Sequence, residues 1–196
     1  MLTIYYSPHA TSLDNEAGRA SGHADVPLSD RGRQGALAVA RQYLAIPMDA
    51  AYCSDLRRAA DTAASLIADR ATPLIPDMRL REFDYGTMTQ WARERVEAEF
   101  PLRITTPFPG GESMLTVVER VGSFLRDALA THDGKTVVVI GHRGTKWGFD
   151  YWAGSQSLEE IARTPWEWRE IPIWRYALES SDLARREPIV IRAPAD

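Results

Sequence analysis

The sequence predicts an α/β fold, a three-layer α/β/α sandwich around a mostly parallel central sheet. Three observations carry this expectation. Short apolar, β-prone runs alternate with longer stretches whose apolar residues recur at helical spacing, the pattern of strand–helix–strand units. The run Thr136-Val137-Val138-Val139-Ile140 has no polar residue after its first position, as expected of a strand covered on both faces. Finally, 196 residues with 44% hydrophobic and 26% charged side chains are enough for one substantial core. With no internal repeat, low-complexity tract or linker, residues 1–196 are expected to form a single domain.

A first strand is expected over 2–6, ended by Ser7-Pro8. Ser29 can cap the first long helix, whose Ala36, Leu37, Ala40, Tyr43 and Leu44 keep helical spacing until Pro47 stops it. Residues 50–53 read as a second strand. The next helix starts near Asp55 and sets Leu56, Ala59, Ala60, Ala63, Leu66 and Ile67 on one face. A short third strand is expected over 72–75, hemmed by Pro73 and Pro76. Residues 83–111, with Pro101, Pro107 and Pro109, read as an excursion over the site, as do residues near 150–170. From Glu112 a helix resumes with Leu115, Val118, Val121, Gly122, Leu125 and Leu129 inward. The turn His132-Asp133-Gly134 then leads into the central strand over 136–140. Ser157 with Glu160 fits a capping box, and 171–178 and 189–192 are expected as late edge strands.

The charge balance narrows the function. A net charge of -4 argues against a general nucleic-acid binder. Lys135 and Lys146 are the only lysines, so the cationic side chains are nearly all arginine forks suited to phosphate and carboxylate. The single cysteine, Cys53, excludes an intrachain disulfide and sits in an apolar run as a buried, inert thiol. Met1 leads straight into Leu2-Thr3-Ile4 without a basic leader, and no apolar run approaches a membrane span, so a cytoplasmic protein without membrane contact is expected.

In open α/β sheets, ligands bind beyond the carboxyl ends of the strands. The first strand delivers Pro8-His9-Ala10-Thr11-Ser12 there, and the central strand delivers Gly141-His142-Arg143-Gly144. Two of the four histidines thus follow strand ends directly. The second strand delivers Ser54-Asp55-Leu56-Arg57-Arg58, placing arginines in the first turn of a helix, where cations oppose the helix dipole. An anion held jointly by arginine and free N–H groups would account for them. Two histidines, arginines and free amides around one spot describe a phosphate site. Competing motifs fail. Asp133-Gly134-Lys135-Thr136 ends like a P-loop, but Leu129 stands at its first glycine and the strand follows it. Gly141-His142-Arg143-Gly144 lacks a nucleophile-elbow serine. The histidines have no zinc-ligand spacing. Trp166, Trp168 and Trp174 read as edge packing rather than a ligand box.

These motifs make the chain similar to the histidine phosphatase superfamily, in the branch of phosphoglycerate mutases and small-molecule phosphatases. The family's opening Arg-His-Gly-Glu-Thr and its later Asn align with Pro8-His9-Ala10-Thr11-Ser12 and Asn15. Gly22-His23-Ala24-Asp25-Val26-Pro27-Leu28-Ser29 resembles its Gly-x-x-Asp-x-Pro-Leu-Thr run. Ser54-Asp55-Leu56-Arg57-Arg58-Ala59 with Thr62-Ala63 resembles its arginine-bearing helix, and Leu80-Arg81-Glu82 through Gly86 its acid-bearing segment. Pro109-Gly110-Gly111-Glu112-Ser113 and His142 complete six motifs in register over 4–145. The resemblance implies a metal-independent, cofactor-free phosphomonoester hydrolase with a phosphohistidine on His9. His142, Arg58 and Asn15 would hold the phosphoryl group, and Glu82, with Asp84 as its local rival, would serve as the acid. Ser21, Gly22 and His23 would line the substrate pocket. The expected partner is a small phosphorylated substrate, and a homodimer is left open.

The resemblance departs at Pro8, where the family has arginine, and at Ala10 and Thr11, where it has Gly-Glu. Proline offers neither charge nor N–H. A charge-assisted contact is worth roughly 1.5–3 kcal/mol, so its loss costs on the order of ten- to a hundredfold. Arg143, at a position where the family has a small residue, is expected to supply the missing charge. The alternative is a catalytically weak member that binds phosphorylated ligands or a protein partner. A mutase ranks below it, because the segment between Gly86 and Pro109 is short.

Overall fold

The computed structural model describes residues 1–68, 70–154, 156–166 and 173–184. Strand β1 (Leu2–Pro8) leads through the short helix α1 (Leu13–Glu16) into α2 (Asp30–Tyr43) and strand β2 (Ala50–Cys53). Helix α3 (Arg57–Ile67) and strand β3 (Leu74–Pro76) follow. The excursion over 83–111 holds 3-10 turns and the one-turn helix α4 (Arg93–Glu97). The chain returns through α5 (Met114–His132), strand β4 (Thr136–Gly141) and α6 (Arg143–Trp152). Helix α7 (Leu158–Arg163), strand β5 (Trp174–Leu178) and α8 (Ser180–Ala184) complete the described elements.

The five strands form one sheet in the order β3-β2-β4-β1-β5, parallel except for β5, which runs antiparallel to β1. The expected sandwich is the observed one. Along β4, Val137 and Val139 join the core beneath α5 and α6, whereas Val138 and Ile140 join the core beneath α2 and α3. That two-sided burial is why the run carries no alternating polar residue. Helices α5 and α6 approach closely at glycine: a Cβ on Gly148 would lie 2.4 Å from Val121, and one on Gly122 would lie 2.4 Å from the Trp152 ring.

The register pairs Pro8 with Gly141, so His9 and His142 emerge side by side at one end of the sheet. The chain leaves β1 toward α2 on one face and β4 toward α6 on the other. This divergence makes the β1–β4 crevice the topological switch point.

Several boundaries differ from expectation for local reasons. Helix α5 begins at Met114, because Ser113 accepts the Thr116 N–H while Glu112 turns away to Arg120. Helix α3 begins at Arg57, whose N–H donates to Asp25 Oδ1 at 2.8 Å, so that donor is taken internally rather than left for an anion. Leu37 on α2 and Leu44 just past its end are 55% and 71% exposed, and Val39 takes the inward place instead. Strand β3 sits slightly later than expected, and helix α1 was not expected. Ser157 and Glu160 form the anticipated capping box on α7. Of the expected edge strands, β5 covers 174–178; residues 171–172, the run 189–192 and Trp168 lie outside the described residues.

Candidate active site

At the switch point an open cleft of about 600 Å³ is floored by His9, His142 and Arg58. The His9 N–H donates to the Gly141 carbonyl at 2.9 Å, tying the loop after β1 to the end of β4. Its Nδ1 lies 2.6 Å from the Ala10 carbonyl oxygen. A carbonyl only accepts, so Nδ1 carries the hydrogen and Nε2 presents its lone pair. Burial, reinforced by the Arg58 charge, lowers the His9 pKa to about 3, so the imidazole is neutral at physiological pH.

The His142 ring centroid lies 5.0 Å from that of His9. Its backbone is clamped: the N–H donates to Thr145 Oγ1 at 3.1 Å, and the carbonyl accepts the Tyr6 hydroxyl at 2.5 Å. Both ring nitrogens are buried and have no hydrogen-bond partner among the described residues. Such groups are uncommon in folded proteins and demand a reason, and a ligand entering the cleft beside them would be one. Burial, then the charge of Arg58, holds the His142 pKa well below the ordinary histidine value.

Arg58 is 1% exposed, an extreme for a guanidinium. Its terminal nitrogens donate to the Ala24 and Gly22 carbonyls at 2.9 and 2.8 Å, and Nε–H points at His9 Nε2 at 3.3 Å. Gly22 is required there: its φ is +51°, and a Cβ would lie 2.9 Å from the Tyr85 ring. Thr62 joins α3 to the floor, donating to the Arg58 carbonyl at 2.7 Å and accepting the Ala10 N–H at 3.0 Å.

Glu82 and Asp84 separate clearly. Glu82 lines the cleft, and its Oε1 accepts the N–H groups of Phe83 and Gly144 at 3.0 and 2.9 Å. Among the described residues, no hydrogen bond engages Oε2. Asp84 accepts the Gly86 N–H at 2.8 Å and is not among the cleft residues. Arg120 braces the segment by donating to the Arg79, Arg81 and Glu82 carbonyls and to Glu112.

The other expected residues divide. Asn15 lines the cleft, but its Oδ1 accepts from Ser12 at 2.9 and 3.0 Å in the capping box of α1, leaving only the amide nitrogen for a ligand. Ser21 and Gly22 line the cleft. His23 does not: its Nε2 lies 2.8 Å from the Glu82 carbonyl oxygen, with the Asp84 and Glu112 carboxylates 3.9 Å away. Arg143 reaches the cleft mouth, yet its guanidinium pairs with Glu97 at 2.5 Å and sits against the rings of Phe100 and Trp166. In the structure a carboxylate on α4 thus stands against the Arg143 charge at the cleft mouth.

Arg19, Tyr85, Arg93 and Glu97 also line the cleft and were not anticipated. No motif marks them; only the four-residue spacing of Arg93 and Glu97 hints at one helical face. Trp166 lines the cleft mouth, whereas Trp174 borders a separate cavity with Lys146. Among the described residues, no three His, Cys, Asp or Glu side chains gather as a metal ion would require, and no helix is long and apolar enough to cross a membrane.

Two imidazoles and a buried guanidinium thus converge at the switch point of a doubly wound sheet. The chain belongs to the histidine phosphatase superfamily (branch 1), whose family model matches residues 4–185. It is 31% identical over 150 residues to phosphoserine phosphatase 1 of Hydrogenobacter thermophilus, covering 72% of this chain and 71% of that protein. It is 31% identical over 164 residues to a 2,3-bisphosphoglycerate-dependent phosphoglycerate mutase of Rhizobium etli, covering 74% and 77%. Among solved structures, Bacillus stearothermophilus YhfR superposes with a TM-score of 0.80 at 22% identity, covering 92% and 93% of the two chains. A mycobacterial glucosyl-3-phosphoglycerate phosphatase complexed with VO3 gives 0.74 at 24% identity, covering 82% and 85%. At these identities the structural likeness speaks for the fold.

Proposed function

We propose that this protein hydrolyses phosphomonoesters of small metabolites through a phosphohistidine on His9, without a metal ion. One observation carries the reading: a neutral imidazole with its tautomer fixed by Ala10 lies against a second, unpartnered imidazole and a buried arginine, and Glu82 lines the same cleft. The His9 Nε2 lone pair attacks phosphorus while the P–O ester bond breaks, and the departing alkoxide takes a proton from Glu82 Oε2. Water then attacks the phosphohistidine, giving its proton to the Glu82 carboxylate. The P–N bond breaks, and its electron pair returns to Nε2. Arg58 and an N–H of His142 bind the phosphoryl oxygens as charge redistributes. Relatives named as phosphoserine phosphatase and phosphoglycerate mutase support small phosphorylated metabolites as the substrate class.

The test is rapid quenching with phosphate-labelled substrates from a metabolite panel that includes phosphoserine and the phosphoglycerates. Acid-labile, alkali-stable label on His9, absent in His9→Ala, is expected. Turnover of no ester above the His9→Ala level would leave a phosphoryl-binding protein instead.

A further inference from the structure

A phosphomonoester carries about -1.5 to -2 charge near neutral pH, yet among the described residues the floor of the cleft offers one cation, Arg58. His9 and His142 are neutral there, and three Arg58 donors already face Gly22, Ala24 and His9. Pro8, in the wall beside His9, adds neither charge nor N–H. Among the described residues, the further cations of the cleft stand higher, at Arg19, Arg93 and Arg143. Arg143 is neutralised by Glu97. Arg19 is half exposed and faces Asp14 at 3.9 Å. Arg93 has no carboxylate partner among the described residues. One of its terminal nitrogens donates to the Asn15 carbonyl at 3.0 Å, leaving its other donors and its charge uncommitted.

Its placement is fixed by backbone. The Arg93 N–H donates to the Gly18 carbonyl at 2.9 Å, and the Ala20 N–H donates to Trp91 at 3.0 Å. Gln90, held at φ +64°, donates its N–H to Ala20 at 2.7 Å. The start of α4 is thereby stapled to the loop that follows α1, the short helix that carries Asn15. We propose that Arg93 is a phosphoryl-binding residue, supplying with Arg58 the second positive charge against the substrate dianion. The proposal rests on the phosphatase reading for its substrate, but it is a statement about binding and can be tested without turnover.

Inorganic phosphate binding to the full chain by titration calorimetry is one arm, and kcat/KM for p-nitrophenyl phosphate, whose only anionic group is the phosphoryl, is the other. Arg93→Ala is expected to weaken phosphate binding and lower kcat/KM by roughly ten- to a hundredfold. Arg93→Lys should keep part of both, and adding Pro8→Arg to Arg93→Ala should recover part of the loss. If Arg93→Ala fails to fold, Arg93→Gln, which keeps a donor for the Asn15 carbonyl without the charge, takes its place. Phosphate binding within twofold of wild type overturns the proposal. So does a loss confined to esters whose alcohol bears a carboxylate, or an equal loss in Arg143→Ala. Arg93-dependent phosphate binding by a wild-type protein that turns over no ester would sink the phosphatase reading and leave the role of Arg93 standing.

Discussion

The floor and the roof of the cleft are built by different physics. On the floor, His9 and His142 are delivered by two hydrogen-bonded parallel strands, and Arg58 by the first turn of a packed helix. Each is buried, and backbone donors and acceptors fix its position. The roof comes from the 83–111 excursion and the start of α6. There Arg143 meets Glu97 across the mouth, against the rings of Phe100 and Trp166. The floor is rigid because moving either histidine means breaking sheet hydrogen bonds. The roof is tied down by backbone hydrogen bonds at 90–93, but the charged groups at its mouth are held by a side-chain pair that water can replace. Chemistry assigned to the floor should therefore respond steeply to substitution, and the roof should tune affinity.

The largest response that tests this division is at Glu82, which closes the floor. Glu82→Gln removes the proposed proton donor while keeping an acceptor for the Phe83 and Gly144 N–H groups. For alkyl phosphates, kcat/KM should fall by about 10²–10⁴. For p-nitrophenyl phosphate, whose leaving group needs little protonation, the fall should be at least tenfold smaller. Equal losses on both substrates would show that Glu82 positions the site rather than protonating the leaving oxygen.

A second test uses the burial of the floor. The folded pKa of His9 is about 3, against 6.5 for an ordinary histidine, so between those values the unfolded chain binds more protons than the native one. The sign follows: this contribution to stability is fully present above pH 6.5 and is lost as pH falls toward 3. The slope approaches 1.4 kcal/mol per pH unit per histidine, to order of magnitude. Urea unfolding in phosphate-free buffer at pH 7 and pH 5 should show wild type losing more stability than His9→Gln. Parallel losses would place the acid sensitivity elsewhere.

The two regions were also unequally legible in the sequence. The floor could be read because its determinants are local: an apolar run, a strand end, a histidine one residue later. Glu82 was separable from Asp84 only by spacing, and the structure adds the reason, since Asp84 is consumed by the turn at Gly86. Asn15 was legible as a polar residue near the site, but its capping bond to Ser12 follows from helix α1, a turn too short to show hydrophobic periodicity. The roof could not be read. The Arg143–Glu97 pair joins residues 46 apart in the chain, and no local pattern announces it. His23 likewise carries a pocket-like signature in sequence, while its ring is spent on the Glu82 carbonyl.

The smallest expected effect concerns that roof pair. Arg143 and Glu97 are 13% and 37% exposed at their side chains, so the pair contributes little to stability, about 0–1 kcal/mol. Its electrostatic consequence is larger than its stabilisation, because Glu97 cancels a cation at the mouth of a cleft that must admit a dianion. In Glu97→Gln, Arg143 keeps its aromatic seat against Phe100 and Trp166 but loses its counter-charge. The freed charge should lower KM for phosphate esters by roughly two- to fivefold at low salt, with kcat within twofold of wild type. The gain should vanish as ionic strength rises toward about 1 M, where the screening length shrinks to about 3 Å. Steady-state kinetics of the variant across a salt series measures this. A tenfold fall in kcat would mean that the pair positions the floor, and the division between a rigid reactive floor and a tunable roof would have to be abandoned.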